Sequence, residues 1–149
     1  MARIVIGADH AGLEFKTFLS ARIKDLGHFL EDVGAAPGTE RADYPLIARE
    51  AARAILSGRF DLGVLVCGTG IGMAVAANRF SGIRAAVCEN EVSARFSRTH
   101  NDANILCLGA RIIGPELALS VTEVFLAHSF LGGRHRERVR MIDPPEGAV

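Results

Sequence analysis

Residues 62–78 read LGVLVCGTGIGMAVAAN and combine three local patterns. The apolar run at 62–67 predicts a strand buried on both faces, and the glycines at 68–72 predict a tight turn. The alanine-rich stretch that follows predicts a helix over 71–80. Because unpaired N–H groups and the helix dipole favour negative charge at such a turn, we expect it to hold an anion or an oxyanion, with Cys67 at its mouth.

The rest of the chain repeats this alternation of strand and helix. The segments predicted as strands are residues 3–7, 28–33, 62–67, 84–88 and 105–108. The segments predicted as helices are residues 13–26, 44–57, 71–80, 91–98 and a stretch that starts at Pro115. About five β-α repeats with short loops predict a three-layer α/β/α, Rossmann-like domain with a five-stranded parallel sheet.

Polar side chains follow several of these strands. Asp9 and His10 come after the first strand, Cys67 ends the third and Arg111 follows the fifth. Ligands of such sheets bind at the carboxyl ends of the strands. If the first strand lies beside the third, Asp9, His10 and Cys67 converge there.

Composition limits the class of protein. A length of 149 residues fits one domain, 49% hydrophobic residues fit a globular core, and a formal net charge of 0 implies no general attraction to nucleic acid or membranes. Residues 62–78 are uncharged but contain four glycines, so we do not expect a transmembrane helix. The N-terminus lacks a secretory pattern and the cysteines lack a disulfide pattern, so we expect a cytoplasmic protein.

The three cysteines differ in their surroundings. Cys88 and Cys107 lie in or at the end of apolar strands and are interpreted as small core residues. Cys67 precedes the predicted helix N-terminus, which favours the thiolate, so we expect it to act as a base. The cysteines have no CxxC or zinc-ligand spacing, and we expect no metal.

The glycine turn also resembles a dinucleotide fingerprint, with Glu89 about 20 residues further on as the ribose ligand. The fingerprint needs G-x-G-x-x-G, but Met73 occupies the last position and Gly72 comes one place early. A P-loop would need a Gly-Lys-Ser/Thr sequence, which the turn lacks. Nucleotide binding by a non-enzymatic α/β module stays a weaker alternative.

Other polar residues have ordinary explanations as well. Asp9 could simply cap the next helix, and His100 with Asn101 could lie in a solvated loop. Arg134 and Arg138 are four residues apart, so on a helix they share a face that suits a phosphate. The alternatives are a solvated basic end or, with Arg136 and Arg140, a nucleic-acid patch. His28 and His128 are interpreted as structural or surface residues.

Six segments, taken in order over nearly the whole chain, resemble the type B ribose-5-phosphate isomerases, within the family that also holds galactose-6-phosphate isomerase subunits. They are GADHAG (7–12), DYP (43–45), CGTGIG (67–72), AANRFSGIRAAVC (76–88), SRTHNDANILCLGARIIG (97–114) and GGRHRERV (132–139). The resemblance implies interconversion of ribose 5-phosphate and ribulose 5-phosphate, a step of the pentose phosphate pathway, without a cofactor. A six-carbon substrate such as allose or galactose 6-phosphate is the alternative.

The resemblance also implies roles. Cys67 is the proton acceptor, His100 helps to open the sugar ring with Asp9, and Thr69 helps to bind the intermediate. The residues that line the sugar are Asp9, His10, Gly68, Thr69, Gly70, Ile71, Gly72 and Asn101. Those that hold the phosphate are Arg111, Arg134 and Arg138.

Some members of the family use a glutamate placed just after the turn as the base. Met73 stands at that position here and cannot ionise, so this chain resembles the cysteine type. The family works as dimers, some paired into tetramers, with sites completed by a neighbour. We therefore expect a homodimer or tetramer in which residues 1–149 form one domain and segment 130–149 packs on a partner subunit, with His100 or the C-terminal arginines acting across the interface.

Overall fold

The computed structural model describes residues 1–143. The strands are β1 (Arg3–Ala8), β2 (Phe29–Asp32), β3 (Leu62–Cys67), β4 (Ala85–Val87) and β5 (Ile105–Gly109). The helices are α1 (Leu13–Asp25), α2 (Tyr44–Leu56), α3 (Ile71–Ala77), α4 (Glu91–Thr99), α5 (Pro115–Ala127) and α6 (His135–Arg140), and a 3-10 turn (His10–Gly12) precedes α1. Among the described residues, no helix is long and apolar enough to cross a bilayer.

The five strands form one parallel sheet in the order β2-β1-β3-β5-β4. β3 is buried at every residue because it lies at the centre of the sheet, between β1 and β5. Its register pairs Ala8 with Val66 and Cys67 with Gly109, so the carboxyl ends of these three strands meet. The predicted α/β/α architecture and the adjacency of β1 and β3 are confirmed.

Helices cover both faces of the sheet. α1, α4 and α5 enclose one apolar core, in which Phe125, Leu106 and Cys88 are buried. α2 and α3 enclose the other, which contains Met73 and Cys107. The assignment of Cys88 and Cys107 to the core is therefore confirmed.

Several element boundaries differ from the predictions. α3 ends at Ala77, before the predicted residue 80, and α4 extends to Thr99. Asp43 occupies the N-cap of α2 with Pro45 in the first turn, but its side chain makes no capping hydrogen bond. Helical spacing places Tyr44 on one face with Ile47 and Ala51, which are buried, but Tyr44 is 40% exposed.

The short end of α3 is explained by Asn78, whose side chain is bonded to the edge of the sheet. Its Nδ2 donates to the carbonyl of Ala85 (2.9 Å), and its Oδ1 accepts the N–H of Ala85 (2.7 Å). This amide pairs with β4 as a neighbouring strand would, on the side away from β5. Asn78 thus occupies backbone groups of an edge strand.

Candidate active site

Cys67 is the last residue of β3 and is 4% exposed. Its Sγ accepts the N–H of Gly70 at 3.1 Å. Gly70 has a φ of 76° and precedes α3 directly. A Cβ at Gly70 would also lie 3.0 Å from the carbonyl carbon of Leu108, so glycine is required both by conformation and by space. The sulfur therefore lies beside the glycine turn at the start of α3.

The turn at 68–72 is enclosed by neighbouring elements. Arg111 lies over Gly68, because its Nη1 is 3.2 Å from the position that a Cβ at Gly68 would take. The Arg111 N–H donates to the Gly68 carbonyl (2.9 Å), which fixes the segment after β5 to the turn. The hydroxyl of Thr69 accepts the N–H of Ile71 (3.3 Å). A cationic side chain and a helix N-terminus thus meet at one turn.

Tyr44 closes the other side of the turn. A Cβ at Gly72 would lie 2.8 Å from Cε2 of the Tyr44 ring, so the ring packs directly against the glycine backbone. This contact accounts for the exposed position of Tyr44, which faces the turn rather than the core. Helical spacing alone groups Tyr44 with Ile47 and does not reveal this contact, because it joins two distant segments of the chain.

Asp9 and His10 lie beside the turn, as predicted. The Asp9 N–H donates to the Val66 carbonyl (3.2 Å), so the backbone at Asp9 is bonded to the residue before Cys67. Asp9 is 6% exposed, and its carboxylate accepts the N–H of Ala11 (3.0 Å), which confirms that it also caps the following turn. His10 is exposed, and its Nδ1 lies 3.3 Å from both the N and the O of Ala42. The residues brought together here form the carboxyl-edge group: Asp9, His10, Cys67, Gly68, Thr69, Gly70, Ile71, Gly72 and Arg111.

The other predicted site residues lie at the opposite end of the strands, where the strands begin. His100 follows α4, which runs back from the carboxyl end of β4 to the amino end of β5. The amino-terminal residue of β5, Ile105, pairs with Gly63 near the start of β3. β3 spans six residues, or about 20 Å at roughly 3.3 Å per residue. Within one chain His100 and Asn101 are therefore not brought to Cys67.

The C-terminal arginines join His100 rather than Cys67. The N–H of Leu131 donates to the Thr99 carbonyl (3.1 Å), which returns the chain to the end of α4. The rings of His100 and His135 then stack with centroids 4.2 Å apart, and Phe96 stacks on the other side of His100 at 4.6 Å. His100, Asn101, Arg134, His135 and Arg138 form the amino-edge group.

His135 is a residue of this group that the motif analysis did not single out. Partial burial lowers its pKa, and the neighbouring His100, Arg134 and Arg138 lower it further. Its position between two arginines of the basic segment was visible in the sequence. Its stacking on His100 depends on the return of the chain to α4, which local patterns do not encode.

Comparison with known proteins gives a consistent family. The sequence model described as Ribose/Galactose Isomerase matches residues 4–142. Ribose-5-phosphate isomerase B of Escherichia coli is 43% identical over 142 residues, covering 95% of each chain. D-erythrulose-4-phosphate isomerase of Pectobacterium atrosepticum is 40% identical, covering 95% of this chain and 93% of that one.

Solved structures agree with this assignment. A ribose 5-phosphate isomerase of Thermotoga maritima superposes with a TM-score of 0.92 at 45% identity, covering 95% of this chain and 97% of that chain. Ribose-5-phosphate isomerase B of Clostridium thermocellum gives a TM-score of 0.91 at 46% identity, covering 94% of each chain. The similarity in sequence and in fold extends over nearly the full length of these proteins.

Proposed function

The chain belongs to the Ribose/Galactose Isomerase family, and on this premise we propose that it interconverts ribose 5-phosphate and ribulose 5-phosphate through a cis-enediolate, with Cys67 as the base. The observation that carries the proposal is the sulfur of Cys67, which accepts the Gly70 N–H beside a glycine turn. A base and a set of N–H donors at one turn suit removal of a proton next to a carbonyl.

The chemistry begins with ring opening, since the aldose is largely a closed ring. His100 shuttles a proton between the ring oxygen and the anomeric hydroxyl, with help from Asp9. Cys67 then takes the proton from C2 and returns it to C1, while the hydroxyl proton at O2 ends on O1. The two carbons exchange oxidation state, so no redox cofactor is required.

Negative charge develops on the former carbonyl oxygen in this step. The N–H groups of residues 68–72 and the hydroxyl of Thr69 are the donors that we assign to it. Losing one such donor typically raises a barrier by about 3–4 kcal/mol. A side chain at position 70 would collide with the backbone of Leu108, and one at position 72 would collide with the ring of Tyr44. Glycine at both positions therefore lets the turn keep its N–H groups facing the ligand.

A complete site requires two copies of the chain in this proposal. The carboxyl-edge group holds the base, whereas the amino-edge group holds His100, Asn101 and two phosphate-binding arginines, and the two groups lie at opposite edges of one sheet. Phosphate is then held by Arg111 from one copy and by Arg134 and Arg138 from the other, as planar guanidinium groups suit phosphate oxygens. Asp9, His10 and Ile71 line the sugar beside the turn.

Exposed apolar residues beside each group support this assembly. Ile71 and Val75 on α3 are 58% and 63% exposed, and Val92 and Phe96 on α4 are 53% and 42% exposed. Each pair is four residues apart and so shares a helix face. A homodimer, alone or paired into a tetramer, would cover these faces and place segment 130–149, of which 144–149 lie outside the described residues, on the partner subunit.

The proposal is tested with purified protein and a panel of four-, five- and six-carbon sugar phosphates without added cofactor. We expect the highest kcat/KM with ribose 5-phosphate, as in a cytoplasmic enzyme of the pentose phosphate pathway. The similarity to a D-erythrulose-4-phosphate isomerase makes a four-carbon substrate the second candidate. Turnover of no sugar phosphate, with a thermal shift on adding ATP or NAD, would overturn the proposal in favour of a nucleotide-binding module.

The base is tested with Cys67→Ala, and Cys88→Ala serves as the control because Cys88 is buried in the core away from the turn. General base catalysis contributes typically about 100- to 10,000-fold. We expect Cys67→Ala to lower kcat by at least about 100-fold. Calorimetry should show that this variant still binds ribose 5-phosphate. Normal turnover by Cys67→Ala would remove Cys67 as the base.

A further inference from the structure

Lys16 is a buried cation that the proposed mechanism does not use. Lys16 and Lys24 are the two lysines of a chain whose other basic residues, apart from histidines, are all arginines. Lys16 lies on α1 with a side chain that is 4% exposed, whereas Lys24 on the same helix is exposed. Because a buried charge is costly unless it is paired, the partners of Lys16 indicate what it holds in place.

Both partners belong to the segment that leaves β2. The Lys16 Nζ lies 2.8 Å from Oδ2 of Asp32 and also donates to the carbonyl of Ala35. Asp32 in turn accepts the N–H of Gly34 through Oδ1 (2.8 Å). A compact ammonium can satisfy an acid and a carbonyl together, which a planar guanidinium does less readily in so little space. Lys16 thus ties α1 to the start of the loop that follows β2.

The same loop is attached to β1 and to His10. The Ala35 N–H donates to the Ala8 carbonyl (2.9 Å). A Cβ at Gly34 would lie 2.4 Å from the Ala8 nitrogen, so the two backbones are in direct contact. At the other end of the loop, Ala42 lies within 3.3 Å of Nδ1 of His10. Segment 33–42, which we call the β2–α2 loop, is therefore fixed at both ends next to the carboxyl-edge group.

The middle of this loop and its C-terminal end border two clefts that meet at His10. One cleft, of about 820 Å³, is lined by Pro37, Gly38, the first turns of α1 and Ala110. The other, of about 490 Å³, is lined by Asp9, Arg41 and the start of α2. The loop therefore forms a wall of these clefts, on the side of the carboxyl-edge group where Asp9 and His10 lie.

We propose that Lys16 is a positioning residue that holds the β2–α2 loop as a fixed wall of the clefts at His10, and that this wall limits the length of the sugar phosphate. The inference rests on the proposed function, which assigns Asp9 and His10 beside these clefts to the sugar. A rigid wall rejects one additional carbon by steric exclusion, and discrimination of one such group is worth about 10- to 200-fold in kcat/KM. A mobile wall would lose much of that discrimination without any change at Cys67.

The test compares Lys16→Met with Lys24→Met, which removes the exposed lysine of the same helix. For each variant, kcat and KM are measured with ribose 5-phosphate and allose 6-phosphate, and slow sugars are measured as competitive inhibitors. We expect Lys16→Met to lower the five- to six-carbon ratio of kcat/KM by about 10-fold, mainly through a lower KM for the longer sugar. Lys24→Met should leave the ratio at the wild-type value.

Amide hydrogen exchange and a second variant test the same proposal independently of Lys16→Met kinetics. Amide hydrogen exchange should accelerate over 34–42 in Lys16→Met, with β1 and β3 unchanged. Gly38→Ala strains the loop at a φ of 84° without touching the ion pair, and should shift the ratio in the same direction. If Lys16→Met does not fold, Gly38→Ala and Asp32→Asn decide the outcome.

An unchanged ratio together with a lower thermal midpoint would show that Lys16 only stabilises the fold, and would overturn the proposal. Unchanged exchange over 34–42 would overturn the role of Lys16 as a fixing residue. Wild-type protein without activity on any sugar would instead overturn the proposed function and the length limit with it, while the exchange measurement would still decide what Lys16 holds.

Discussion

The imidazole rings of His100 and His135 lie face to face, with centroids 4.2 Å apart and an angle of 14° between their planes. Phe96 extends the stack on the other side of His100, and the guanidinium of Arg95 lies 5.1 Å from the Phe96 ring centroid. At this distance a positive charge on His100 opposes protonation of His135. The stack therefore orients His100 and disfavours a charge on its neighbour.

The lowered pKa of His135 predicts a stability that falls in acid. Above the unfolded pKa of about 6.5, both states bind no proton at this residue. As pH falls below that value, the unfolded state takes up the proton more readily than the folded state, so the folded state loses stability. His135→Phe, which keeps an aromatic ring, should show a smaller drop in thermal midpoint between pH 7.5 and 5.5 than wild type. An equal drop in thermal midpoint for the variant and the wild type would contradict the lowered pKa of His135.

The cysteines should differ in their reaction with iodoacetamide at pH 7.5. Burial raises the pKa of Cys107 well above its usual value and also raises that of Cys88, so neither presents a thiolate. We expect the first adduct at Cys67, and activity should fall in proportion to the fraction of Cys67 that is alkylated. Bound ribose 5-phosphate should slow this alkylation. Peptide mapping checks the site, and inactivation that precedes any Cys67 adduct would contradict the assignment.

Two inactive variants should complement each other if the site is shared between copies. In a mixed dimer of Cys67→Ala and His100→Asn chains, one of the two sites combines an intact Cys67 with an intact His100 of the partner subunit. Random mixing predicts about a quarter of wild-type activity, measured after co-expression or after unfolding and refolding together. A mixture as inactive as either parent would place both residues in one chain's site.

Arg138 and Arg140 provide a matched pair on α6. Nη1 of Arg140 forms an ion pair with Oε1 of Glu137 at 3.1 Å. Arg138 is one of the arginines that we assign to the phosphate. Arg138→Ala should raise KM for ribose 5-phosphate by at least about 10-fold, since hydrogen bonds to charged groups are worth about 1.5–3 kcal/mol. Arg140→Ala should leave KM within two-fold, measured by initial rates. Equal effects of both changes would indicate a general loss of positive charge.

Gly70→Ala should lower stability and activity together. The change places a side chain at a φ of 76° and within 3.0 Å of the Leu108 backbone. The conformational strain alone is about 1–2 kcal/mol, and the shift of the turn also moves the N–H that bonds to Cys67. Thermal unfolding and kcat are measured for this variant. Gly27→Ala is the control for backbone strain alone, because Gly27 has a φ of 83° and no atom lies within 4 Å of an added Cβ. Loss of stability without loss of kcat would separate the turn from catalysis.

Much of the fold followed from the sequence because the central strands are continuous apolar runs. The bounds of β3 were predicted to the residue, and the register of β1 and β3 then brought Asp9 near Cys67. The end of α3 was predicted less well, because the bond from Asn78 to Ala85 connects residues that local periodicity treats separately.

The site was predictable in part for the same reason. Residues that follow buried strands are placed by topology alone, so the carboxyl-edge group could be assembled from the chain order. The stack of His135 on His100 and the contact of Tyr44 with Gly72 depend on side-chain packing between distant segments. Such contacts leave no periodic signal in the sequence.

The bond between Asn78 and Ala85 has a consequence for self-association in crowded solution. An unpaired edge strand is a template for open-ended addition of further strands, as in fibrils. Here a side-chain amide already occupies the N–H and C=O of Ala85 on a strand of three residues. The Asn78 amide therefore blocks the addition of a further strand at Ala85, and it protects this edge of the sheet from fibril-type growth without any partner.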